Sequence, residues 1–140
     1  ESGTINLPIE RKPGSTMLRH VSATGAPSVT QYEIVESFGN ATLLKFKLIT
    51  GRTHQIRVHS QAIGHPLLGD SLYPFLDTNE TNESFNSGEN AGLDFQNELI
   101  DRQALHSYIS RFIHPLNGKL ITIKAPLPED IKQAIHKLRI

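Results

Sequence analysis

Five polar side chains crowd around a single isoleucine and valine in Arg52-Thr53-His54-Gln55-Ile56-Arg57-Val58-His59. Arg52, His54, Gln55, Arg57 and His59 carry more hydrogen-bonding capacity than a purely structural helix turn can use, and their types suit a surface that grips an anion. Thr53 has the side chain of an N-cap, so a helix starting there presents unpaired backbone N–H groups beside Arg52. Arg57 falls one turn further on, and its forked guanidinium suits a carboxylate or a phosphate. The Gln55 amide can position a base edge. The plainer readings are a surface salt bridge for Arg57, worth about 0–1 kcal/mol, and helix decoration or half-buried imidazoles for His54 and His59. A metal site is not expected: His54 and His59 are not at the i, i+4 spacing of a helical metal pair, and adding His65 and Asp70 gives no recognised pattern. No serine stands in a Gly-x-Ser-x-Gly elbow, and cysteine is absent. Disulfides and thiolate metal sites are thereby excluded. On the residues alone, the chain reads as an anion-binding domain with RNA as one candidate ligand.

The elements that must position this stretch follow from periodicity. Ile5, Leu7 and Ile9 alternate with polar neighbours as in a short strand, with Pro8 at its edge or end. Residues 10–28 read as irregular, with turn clusters at Lys12-Pro13-Gly14-Ser15 and Thr24-Gly25-Ala26-Pro27. Val29–Glu36 alternates so that Tyr32 and Ile34 share a face. After Phe38-Gly39-Asn40, Leu44, Phe46 and Leu48 do the same, which makes an antiparallel hairpin. A helix follows from Thr53, with Ile56, Ser60 and Ile63 along one side and Gly64 suited to the left-handed residue past its end. Ala104–Ile113 and Leu120–Ala125 form a second strand pair across His114-Pro115-Leu116-Asn117-Gly118-Lys119. Pro128 opens a last helix from Glu129 to about Leu138, striped by Ile131, Ile135 and Leu138. The class is α+β: a mixed, mainly antiparallel sheet of hairpins with a central and a C-terminal helix.

The chain of 140 residues is long enough to bury a core. A hydrophobic content of 37% suits a modest globular unit. It has no run apolar enough to span a bilayer and no signal-like leader, so no membrane partner is expected and a cytoplasmic location is the simplest reading. The formal net charge of +0 hides a division. Residues 76–101 hold seven acids and no Lys or Arg, so the remainder sets fourteen basic residues against seven acidic ones, a net +7. A body of that charge could hold a polyanion. Residues 76–99, rich in Asn, Glu, Ser and Thr, read as a mobile acidic surface insertion.

Thr50-Gly51-Arg52-Thr53-His54-Gln55-Ile56-Arg57-Val58-His59, followed by Ile63-Gly64-His65-Pro66-Leu67-Leu68-Gly69-Asp70-Ser71-Leu72-Tyr73, closely resembles the late signature of the RluA family of pseudouridine synthases. Gly3-Thr4-Ile5 with Pro8-Ile9, Thr30-Gln31-Tyr32, Arg102-Gln103-Ala104-Leu105-His106, His114-Pro115 and Ala125-Pro126-Leu127-Pro128 resemble other family segments in the same order. The resemblance implies isomerisation of uridine to pseudouridine in rRNA or tRNA, with no cofactor and no required metal. It also implies an aspartate nucleophile in an Arg-Leu-Asp motif that attacks a flipped-out uridine. Arg57 matches the arginine that would hold that aspartate ionised. Arg52, His54 and Gln55 would face the RNA or brace the loop, and Ser110 stands where many relatives place a leucine beside the uracil.

This sequence departs from the family pattern in its carboxylates. Asp70, Asp77, Asp94, Asp101 and Asp130 all lie outside any Arg-Leu-Asp context, and the early-strand tyrosine is absent. The chain is therefore expected to be the C-terminal part of a pseudouridine synthase catalytic domain, inactive without the missing N-terminal half and belonging to a monomeric parent. The alternatives are a non-catalytic RNA-binding module, or one half of a split enzyme that recovers activity with a partner chain.

Overall fold

The computed structural model describes residues 1–76 and 98–140. The strands are β1 (Ser2–Asn6), β2 (Ile9–Arg11), β3 (Arg19–Val21), β4 (Val29–Ser37), β5 (Thr42–Leu48), β6 (Ile109–Ile113) and β7 (Leu120–Lys124). The helices considered below are α1 (Gln55–Ala62) and α2 (Glu129–Leu138). The class is α+β, as expected, and all strand pairing among the described residues is antiparallel: β1-β4-β5, β2-β3 and β6-β7. Among the described residues no helix is long and apolar enough to cross a membrane. The acidic insertion expected at 76–99 lies almost wholly outside the described residues.

The β4–β5 hairpin forms where alternation places it. Tyr32, Ile34 and Glu36 turn towards the body while Gln31, Glu33 and Val35 face solvent. The Phe38 N–H donates to Ala41 O at 2.8 Å, and Gly39 takes φ +87°, which closes the turn. A bulge between Ile34 and Glu36 interrupts the register. β1 adds to the other side of β4, pairing Gly3 with Tyr32. The tyrosine ring occupies the place of any Cβ at Gly3, so that glycine is a packing requirement.

Three local expectations are corrected. Residues 10–28 contain a short strand pair, with β2 hydrogen-bonded to β3 across the Lys12–Ser15 turn. The first strand of the second predicted pair starts at Ile109 rather than Ala104. Arg102 draws the intervening stretch away from a sheet ladder. Its guanidinium binds Asp130 at 2.7 and 3.0 Å and the Gln103 and Leu105 carbonyls at 3.2 Å, while the Ala104 N–H donates to Leu68 O. The helix in the central motif begins one residue late: its N-cap is His54, not Thr53, and His54 is left-handed at φ 56°.

The buried side of α1 shares only Ser60 with the predicted stripe. Gln55, Arg57, Val58, His59 and Ser60 are buried, whereas Ile56 is half-buried and Ile63 exposed. The apolar cluster beneath is small: Ile9, Val58 and Tyr73, flanked by Leu18 and Val21. α1 ends as expected, with Gly64 at φ +80°. α2 also follows its sequence signals, with Pro128 as N-cap and Ile131 and Ala134 buried, while Ile135 and Leu138 are half-buried.

Gly69, at φ +71°, is pressed against the Arg102 carbonyl. Gly69→Ala combines a left-handed non-glycine residue with a backbone clash. It is expected to destabilise the protein by about 2 kcal/mol or more, read as a lowered denaturant midpoint with unchanged slope. Gly51→Ala meets nothing within 4 Å and serves as the neutral control.

Candidate functional site

The turn from β5 into α1 is wired by hydrogen bonds whose directions are all fixed. The Val29 N–H donates to Thr50 Oγ1 at 2.9 Å, and the Thr50 hydroxyl donates to Gln55 Oε1 at 2.8 Å. The Arg52 N–H donates to the same Gln55 oxygen. The Gln55 amide nitrogen donates to Val29 O at 3.0 Å and to Thr30 Oγ1 at 2.9 Å. With its oxygen approached twice and both amide protons placed, Gln55 has no hydrogen-bonding capacity left for a base, and it is only 2% exposed. Of the two expected roles for Gln55, facing the RNA or bracing the loop, its hydrogen bonds serve bracing, between α1 and β4.

The wiring continues through His59, which is fully buried. Leu7 O, 2.8 Å from Nε2, can only accept, so Nε2 carries the proton and Nδ1 accepts from the Thr30 hydroxyl at 2.8 Å. Both ring nitrogens are occupied, which removes His59 from any metal site.

Arg57 is buried on the next turn, and the structure gives it a carboxylate within this chain. Its Nε donates to Asp70 Oδ2 and its Nη2 to Asp70 Oδ1, both at 2.7 Å. From the family pattern, the expected partner of Arg57 lies outside the chain. Asp70 Oδ1 also accepts the Leu72 and Tyr73 N–H groups at 3.1 and 3.2 Å, a turn in which an aspartate side chain serves the backbone two and three residues on. Burial alone would raise the Asp70 pKa. The Arg57 hydrogen bonds and charge, with the two N–H donors, more than offset that and hold the carboxyl below its ordinary range. Arg57 is correspondingly raised, first by its hydrogen bonds to Asp70. Nη1 of Arg57 has no hydrogen-bond partner among the described residues.

Tyr73 closes the cluster. Its ring lies 5.0 Å from the Arg57 guanidinium carbon, a cation–π contact. Its hydroxyl meets His54 Nδ1 at 2.7 Å and accepts the Arg19 N–H at 3.1 Å. Burial, then the charges of Arg57 and Arg19, lower the His54 pKa, opposed by Asp70.

The remaining predicted site residues lie further out. Arg52 is exposed, and its Nε and Nη2 donate to Pro27 O at 3.3 and 3.2 Å. Ser110 is exposed on β6 opposite Ile123 and shares no hydrogen bond with the Arg57 cluster among the described residues. Tyr73 and the role of Asp70 as partner to Arg57 were missed from sequence. The signal was Gly69-Asp70-Ser71-Leu72-Tyr73, a turn-forming Asp followed at the right spacing by N–H groups to cap.

The sign of the pH effect follows from the lowered Asp70 pKa. Its contribution to stability is complete above the ordinary carboxylate value of about 3.9 and is lost as pH falls through the depressed folded value. Asp70→Ala leaves Arg57 buried and unpaired, an expected loss of about 3–5 kcal/mol near pH 7. Urea titrations should show the gap to wild type narrowing in strong acid; a gap independent of pH would contradict the pairing.

The RNA pseudouridylate synthase family profile matches residues 1–62. The ribosomal large subunit pseudouridine synthase D of Haemophilus influenzae is 39% identical over 99% of this chain and 41% of its own length. The corresponding Haemophilus ducreyi protein is 42% identical over the same shares. An uncharacterized RNA pseudouridine synthase of Synechocystis is 39% identical over 98% of this chain and 38% of its own length. The chain thus spans about two-fifths of the length of these relatives. Among solved structures, human RNA pseudouridylate synthase domain containing 1 superposes with a TM-score of 0.62. It covers 99% of this chain and 59% of that one at 24% identity, a likeness of fold. With the central motif and nearly all the rest of the sequence matched in this way, the chain is similar over almost its whole length to one part of these RNA pseudouridine synthases.

Proposed function

We propose that this chain is the C-terminal part of the catalytic domain of an RNA pseudouridine synthase acting on ribosomal RNA, with transfer RNA as the alternative substrate. The reaction is an isomerisation. The N1–C1′ bond of a uridine breaks, a C5–C1′ bond forms, and a proton leaves C5 while N1 gains one, so no oxidant or cofactor is consumed. In the family pattern an aspartate supplies the nucleophile, and the target base is swung out of the RNA stack to reach it.

The observation that carries this reading is the state of the carboxylates and of Arg57. Asp70 has no exposed side-chain surface and both oxygens are bonded, so it is a structural anion and not a nucleophile. Asp130 is bound by Arg102. Arg57 keeps Nη1 for a further carboxylate, which we assign to the part of the protein outside this chain. The β6–β7 hairpin supports the same division. Phe112, Ile113, Leu120 and Ile123 are exposed, and alternation along β6 and β7 places Phe112 and Ile113 on opposite faces. A stand-alone RNA-binding module would leave both apolar faces in water, whereas a larger domain would cover them. Arg52 remains a candidate for the RNA backbone.

The test compares full-length protein and the isolated 140-residue chain on ribosomal and transfer RNA transcripts, mapping pseudouridine by carbodiimide modification and primer extension. Full-length protein is expected to form pseudouridine and the isolated chain none. Turnover by the chain alone would remove the need for an outside nucleophile, and no product from full-length protein on either RNA would overturn the activity.

A further inference from the structure

His54 has the one positive φ among the described non-glycine residues, a strained conformation costing about 1–2 kcal/mol. The strain sets the ring against Tyr73, edge-on at 5.5 Å between centroids. The hydrogen count at the Tyr73 hydroxyl then fixes the state of the imidazole. The Arg19 backbone N–H can only donate, so the tyrosine oxygen accepts there. Tyr73 is 2% exposed, and its O–H proton needs an acceptor; among the described residues His54 Nδ1 is the one group bonded to that oxygen that can accept. If Nδ1 carried a proton, Tyr73 O would accept twice and its own proton would be orphaned in the interior. Nδ1 is therefore the acceptor, and the proton of neutral His54 sits on Nε2, which has no hydrogen-bond partner among the described residues.

We infer that His54 is a tautomer-locked neutral donor, set by Tyr73, whose Nε2–H is presented to an oxygen of the bound RNA. The groups facing it agree on its charge state. Arg57 from α1 and Arg19 from β3 disfavour an imidazolium, Tyr73 requires a bare Nδ1, and Asp70, the one acid in the cluster, is already engaged by Arg57. The inference deepens the functional reading above and rests on RNA being the ligand.

Two measurements on full-length protein test it. The first needs no RNA: 15N spectra of ring-labelled histidine, with the His54 signals assigned by their loss in His54→Asn. Asparagine suits the left-handed backbone and leaves an oxygen for the Tyr73 hydroxyl while removing the Nε2–H. The Nε2–H tautomer is expected from pH 6 to 8, with mixed tautomers in Tyr73→Phe. An Nδ1–H tautomer or an imidazolium at pH 7 in wild type would overturn the lock.

The second measurement is affinity for a ribosomal RNA transcript across a series of KCl concentrations. His54→Asn is expected to bind about 3- to 10-fold more weakly, with an unchanged slope of log affinity against log salt, since a neutral donor releases no counterion. A slope reduced by about one would show a cationic phosphate contact and overturn the inference, as would unchanged affinity. Failure of wild-type protein to bind the RNA would overturn the functional reading along with it.

Discussion

The buried pairing of Arg57 with Asp70 is the constraint on which the rest of this structure depends. Two unit charges taken out of water are tolerable only when the geometry is close and the spare lone pairs are filled. Both conditions are met: two charge-assisted bonds at 2.7 Å join the fork to the carboxylate, and two backbone N–H groups complete Asp70. The turn after α1 is folded by this requirement, because Leu72 and Tyr73 must return their amides to the aspartate. That return brings the Tyr73 ring under Arg57 and its hydroxyl to His54 and β3. A single ion pair therefore couples the helix, the following turn and the β2–β3 hairpin.

Among the described residues around that pair, polar side chains outnumber apolar ones in the buried part of α1. The three-residue cluster of Ile9, Val58 and Tyr73 is too small to fix the orientation of α1 by packing alone. Directional bonds do so instead, running from Val29 through Thr50, Gln55, Thr30 and His59 to Leu7. Each proton in that series has one consistent place, so the network tolerates few alternative arrangements. Such rigidity suits a site that must hold a guanidinium and an imidazole in defined orientations.

Much of the scaffold was legible because it rests on local rules. The β4–β5 hairpin follows from alternation around Phe38-Gly39-Asn40, the end of α1 from Gly64, and α2 from Pro128. The candidate site was less legible, because residue type does not reveal burial when polar groups satisfy one another. Gln55 and His59 look like surface chemistry in the sequence and are interior in the structure, since partners such as Val29, Thr30 and Leu7 lie far away along the chain. The pairing of Asp70 with Arg57 is not legible in the spacing, because the family pattern supplies a carboxylate elsewhere for that arginine. The N-cap missed by one residue reflects a left-handed histidine stabilised by Tyr73, a tertiary contact. The strand expected from Ala104 was likewise displaced by Arg102 reaching Asp130.

Arg57 joins the fold to the proposed function: one edge of its guanidinium binds Asp70, and in the proposed reading the Nη1 edge serves a second carboxylate. The most direct measurement is single-turnover pseudouridine formation by full-length Arg57→Lys protein, alongside its unfolding midpoint. Lysine keeps a charge for Asp70 but cannot serve two carboxylates at once through a planar fork. The result expected is a protein still folded at the assay temperature with turnover reduced by about a hundredfold or more. A folded Arg57→Lys protein turning over at the wild-type rate would contradict the account.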